Sequence, residues 1–129
     1  MRAIILLVIG LAVGAISASY AANTMAARHA YTRGVMAIMQ HHVSALGAQA
    51  KAGQCPADSS LDHFHRISGA AAEIEPAFAG ADPDFFKHAH ALADATAATI
   101  ANAPADCPGL KQAMAKVGET CKSCHELYR

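Results

Sequence analysis

Three residues near the C-terminus have types and spacing that could do chemistry together: Cys121, Cys124 and His125, in the run Cys121-Lys122-Ser123-Cys124-His125. Positions i, i+3 and i+4 share one face of a helix, so two thiols and an imidazole would project side by side. C-x-x-C-H is the pattern through which one haem c is held covalently. Each cysteine sulfur adds to a vinyl group, and the histidine then sits below the iron. A redox C-x-x-C of the thioredoxin type follows a strand and opens a helix, whereas this motif lies late in a helical pattern. A structural zinc site wants a second close pair of ligands, and Cys55 and Cys107 are isolated. Chance remains an alternative, because the pattern fixes only three residues.

Cys55 and Cys107 each precede a proline and lie 52 positions apart. Export would permit a disulfide between them. On the chain-entropy model, closing that loop stabilises the fold by about 4 kcal/mol. Seven histidines besides His125 include the close pairs His41/His42, His63/His65 and His88/His90. No two have the i, i+3 or i, i+4 spacing of a one-helix chelate, so they are expected to face solvent unless histidines from different helices meet; a histidine-rich metal binder without haem is the outlying alternative. No paired carboxylates, nucleophile–base arrangement or phosphate loop stands out. An enzyme is therefore not expected.

Upstream, Met1-Arg2 is a short positive start. An apolar run from Ala3 to Ile16 follows, then a stretch from Ser17 to Ala22 that is small and weakly polar apart from Tyr20. That is the layout of a secretory signal peptide, residues 1–21, with Ser19 and Ala21 suited to cleavage after Ala21. An uncleaved membrane anchor is the alternative, although the run is short for crossing a bilayer. Residues 22–129 would form one domain in the periplasm, without membrane attachment after cleavage. Losing Arg2 leaves 9 Lys and Arg against 10 Asp and Glu. There is no basic stripe, and nucleic acid is not an expected partner.

Four helical segments must position the motif. The first spans about Thr24 to Ala52, with Met36, Met39, Val43, Leu46 and Ala50 as its seam, and stops at Gly53 and Pro56. The second starts near Ser59 or Ser60, turns Leu61, Phe64, Ile67, Ala71 and Ile74 inward, and is expected to end at Pro76. After a turn at Gly80–Pro83, Asp82 caps a third helix with Pro83 at its first position. Its seam reads Phe86, Ala89, Ala93, Ala97 and Ile100. A loop from Ala103 to Pro108 leads to the fourth, about Gly109 to Tyr128, with Leu110, Met114, Val117, Cys121, Cys124 and Tyr128 inward. No strand pattern competes. The expected fold is all-α, an antiparallel up-down-up-down four-helix bundle around one haem, with the loops carrying Cys55 and Cys107 at the same end.

The runs Arg33-Gly34-Val35-Met36, Leu46-Gly47-Ala48 and Lys51-Ala52-Gly53, with the C-terminal stretch Val117 to Arg129, together resemble the cytochrome c′ family and its low-spin, methionine-ligated relatives. The resemblance covers both ends of the chain. The middle departs from it, with a shorter segment between the second and third helices and no tryptophan. It implies thioether positions at Cys121 and Cys124, iron ligation by His125, and Met36 over the distal face of the haem. A histidine on the first helix taking the place of Met36 on iron is the alternative. Arg129 matches an arginine beside the proximal histidine. Arg33 is the candidate for a helix-one arginine on a haem propionate, although it precedes Met36 by three positions where the family has four. With Met36 on iron, the expectation is electron transfer with redox partner proteins. With the iron five-coordinate, it is binding of the small gases nitric oxide or carbon monoxide. The resemblance also allows a homodimer through the first two helices.

Overall fold

The computed structural model describes residues 2–129, the side chains of Arg28 and His29 excepted. In chain order the elements are α1 (Arg2–Ala52), α2 (Ala57–Ala72), the short α3 (Ile74–Ala77), α4 (Pro83–Ala101) and α5 (Cys107–Tyr128). Among the described residues there is no strand, and the fold is all-α, as expected.

The chain divides into two compact units, residues 1–31 and 32–129. The described side chains of the first are exposed. The first unit is helical from Arg2, well before the expected start near Thr24, because no proline between Arg2 and Ala52 stops a helix. Its apolar run makes α1 long and apolar enough to cross a membrane, a property that an export signal shares.

The second unit holds the core. Gly53 ends α1 at a φ of 69°, a left-handed value suited to glycine. The Gln54 amide then donates to the Gln49 carbonyl at 3.1 Å, closing the helix end. The expected end of the second helix at Pro76 needs correction: α2 stops at Ala72. Pro76 cannot donate to the Ala72 carbonyl and its ring would collide there. The helix therefore breaks a turn earlier, and Pro76 lies inside α3. The Asp82 carboxylate accepts from the Phe85 amide at 2.9 Å, with Pro83 in the first turn, as the sequence predicts. A second cap went unread. Asp106 accepts from the Gly109 amide at 2.7 Å, so α5 starts at Cys107 rather than Gly109. Pro108 is tolerated there because first-turn amides have no partner within the helix.

The core gathers Met39 and Leu46 from α1, Phe64 and Ile67 from α2, Leu110 and Val117 from α5, and Phe85 and Leu92 from α4. The last pair corrects the expected α4 seam. The buried positions are Phe85, Ala89, Leu92, Thr96 and Thr99, whereas Ala97 is exposed and Phe86, Ala93 and Ile100 are only partly buried. Alanines all around the helix gave little contrast. The threonines can be buried because their hydroxyls donate to carbonyls of the preceding turn: Thr96 to Leu92 at 3.0 Å and Ala93 at 2.8 Å, Thr99 to Ala95 at 2.8 Å.

At one end of this unit a disulfide joins Cys55 to Cys107, with Cα atoms 5.2 Å apart, within the span such a bridge requires. The α1–α2 and α4–α5 connections therefore meet at the same end. At the opposite end the Tyr128 hydroxyl donates to Asp82 at 3.1 Å. The end of α5 thus meets the start of α4, and the two helices run antiparallel.

Candidate functional site

Between the helices of the second unit lies a cavity of about 670 Å³, within the usual range of small-molecule and cofactor sites. One wall is α5, which contributes Met114, Val117, Cys121, Cys124 and His125. Facing positions come from α1 (Met36, Met39, Val43), α2 (Phe64, Ile67) and α4 (Phe85, His88, Leu92). Most of the lining is apolar, which would exclude water from a bound group and lower the dielectric around it.

The cysteine spacing has the expected consequence. Cys121 and Cys124 are both half-buried on the cavity side of α5. Burial pushes the Cys121 thiol above its ordinary range, with Cys124 adding to the effect, and burial likewise raises Cys124. A redox C-x-x-C works by a lowered thiol pKa, so these thiols are poor candidates for that chemistry. Local hydrogen bonds hold the turn around them. Thr120 donates to the Val117 carbonyl at 2.7 Å and Ser123 to the Thr120 carbonyl at 3.0 Å.

All six residues singled out from the sequence line this one cavity: Cys121, Cys124, His125, Met36, Arg33 and Arg129. Met36 is half-buried and packs against the core. His125, Arg33 and Arg129 are exposed at its margin, and Arg129 lies just past the last helical residue. Two thiols, an imidazole and a thioether around an apolar space form a donor set that fits a haem.

The sequence reading missed His88. Expected to face solvent, it is half-buried in the cavity lining, with Nδ1 3.4 Å from the Ser123 hydroxyl and its ring against Tyr128. It lies three positions after Phe85, so the correct α4 register would have put it inward. His42 and His63 are the exception the sequence left open, half-buried and meeting between α1 and α2. The solvent-facing expectation holds for His41, His65 and His90, all exposed, while the His29 side chain lies outside the described residues.

An all-α bundle with a C-x-x-C-H helix lining an apolar cavity defines a c-type cytochrome. Residues 63–129 match the family model described as cytochrome C′. This is more than half of the chain, and the protein belongs to the cytochrome c′ family, whose members carry covalent haem c. The match includes Cys121, Cys124, His125 and Arg129, and begins after Arg33 and Met36. It also covers the middle of the chain, where the sequence resemblance was weakest, and omits α1, where it was stronger. No curated protein matches the chain.

Proposed function

We propose that this protein is an exported, periplasmic electron carrier with one haem c, and not an enzyme. Cys121 and Cys124 would hold the haem by thioether bonds, and His125 and Met36 would ligate its iron. The observation that carries this reading is that Met36 and His125, 89 positions apart, line the same cavity from different helices. Bound haem supplies an iron that gains and loses one electron. A histidine–methionine pair raises its reduction potential. The chain's part is to keep the ring among Phe64, Ile67, Phe85 and Leu92, away from water, while the exposed margin at His125 and Arg129 faces a redox partner. Residues 1–21 would be removed on export, consistent with a core built wholly from residues after Tyr31.

A second reading has its own support. Met36 packs against apolar core residues, and a methionine there can be filler. With iron open under that apolar wall, the protein would bind nitric oxide or carbon monoxide instead. Absorption spectra of the oxidised, reduced and carbon monoxide-treated reduced protein separate the two. The carrier reading expects sharp split bands on reduction, a methionine–iron charge-transfer band, and little response to carbon monoxide. Met36→Ala is then expected to abolish the charge-transfer band and open the iron to carbon monoxide. A wild-type spectrum that is high-spin and shifts at once with the gas would replace electron transfer with gas binding.

A further inference from the structure

Away from the cavity, two histidines meet between helices that the haem site does not explain. His42 on α1 and His63 on α2 are half-buried, with their Nδ1 atoms 2.9 Å apart. At that separation one ring donates and the other accepts, so at least one imidazole is neutral. Burial lowers the pKa of His42, and His63, His41 and Arg66 lower it further, against a smaller opposing effect of Asp62. The rings are 5.2 Å apart at 47°, and neither histidine lines the haem cavity. Nearby, Asp62 pairs with Arg66 at 3.6 Å, and the His41 ring packs edge-on against His42 at 5.0 Å.

We propose that His42 and His63 form a second metal site, a two-imidazole clamp across α1 and α2 for a divalent ion that favours tetragonal nitrogen coordination, copper(II) first. The nitrogen separation suits a tetragonal ion once the rings turn so that both lone pairs point at it. Two nitrogens 2.9 Å apart, each about 2.0–2.1 Å from a metal, subtend about 90° there, the angle between neighbouring ligands of a tetragonal ion. A tetrahedral zinc would need the nitrogens roughly 0.4 Å further apart. For both Nδ1 atoms to bind the ion, the hydrogen they share moves by exchange with water to the donor ring's Nε2, so that both rings bind as neutral imidazoles carrying their hydrogen on Nε2 and no proton is lost from the pair. Among the described residues no group of three His, Cys, Asp or Glu side chains is gathered for a metal. The clamp therefore supplies two ligands, and water completes the sphere. Copper(II) leads because it binds a given nitrogen site most tightly among these divalent ions. Holding one residue from each of two helices, the ion would also tie α1 to α2.

The test is copper(II) titration of the oxidised holoprotein by calorimetry, with electron paramagnetic resonance of the bound ion. The expected result is one equivalent with two-nitrogen coordination, and a thermal unfolding midpoint that rises with added copper. His42→Ala and His63→Ala should each weaken that equivalent at least tenfold and remove the thermal shift, while His65→Ala leaves both unchanged. Each variant's haem spectrum reports that it has folded. Copper binding that survives both substitutions, or follows His65 instead, would overturn the assignment.

Discussion

The two ends of the second unit are built on opposite plans. At the closed end the disulfide Cys55–Cys107 is joined by a polar knot in which Gln49 donates to Ser59 at 2.8 Å and accepts from the buried Ser60 at 3.1 Å. Asp106 caps α5 beside it. At the open end the helices part around the cavity, and the start of α4 is held to the end of α5 by Asp82 and Tyr128 on the surface. The comparison teaches where stability and function have been separated. A covalent bond and part-buried polar bonds hold one end, and the cavity opens toward the other.

The largest effect should come from emptying the open end. Replacing Cys121 and Cys124 by serine is expected to abolish covalent haem, read as loss of haem staining on a denaturing gel. The Cys55–Cys107 bridge should persist in a thiol assay of the same protein. If the bridge were lost as well, the two ends would not be independent.

Next is the converse change. Cys55→Ala with Cys107→Ala removes a cross-link over 52 positions, with an expected cost of about 4 kcal/mol in denaturant unfolding. The haem absorption spectrum of the folded variant should not move. A shifted spectrum would mean that the closed end shapes the cavity.

Acid should sharpen the contrast with a smaller effect. The Phe85 amide holds the Asp82 carboxyl below its ordinary pKa of 3.8, and the Tyr128 hydroxyl adds to this. The unfolded chain therefore takes up a proton at Asp82 before the folded one does. The stabilisation is complete above the ordinary value and is lost as pH falls through the folded one. Denaturant midpoints from pH 5 to pH 2 should decline less steeply in Asp82→Asn than in the parent. Equal slopes would show that this contact does not hold the open end.

Much of this molecule was legible because its signals are local. Gly53, Gly80, Asp82 and Pro83 stop and start helices through their own backbone preferences, and each lies where the sequence predicts. Pro76 was read correctly as a helix breaker, but its collision partner lies four residues back, which moved the end of α2 to Ala72. On α4 the rotation was misread because Ala93 and Ala97 compete with Leu92 and the threonines for the inner face. Side-chain hydroxyls that bond within their own helix do not read as apolar.

By itself the sequence determined that Cys121, Cys124 and His125 would share a helix face, because 3.6 residues per turn leaves no other outcome at that spacing. It determined the all-α class for the same reason, through periodicity and the absence of any alternating run. Only the tertiary structure decided that Met36 shares a cavity with His125, that Cys55 comes within 5.2 Å of Cys107 between Cα atoms, and that His42 meets His63. Each of these depends on how far a helix is rotated and slid against its neighbours. Rotation and register come from the packing of the whole core, to which no short stretch of sequence has access.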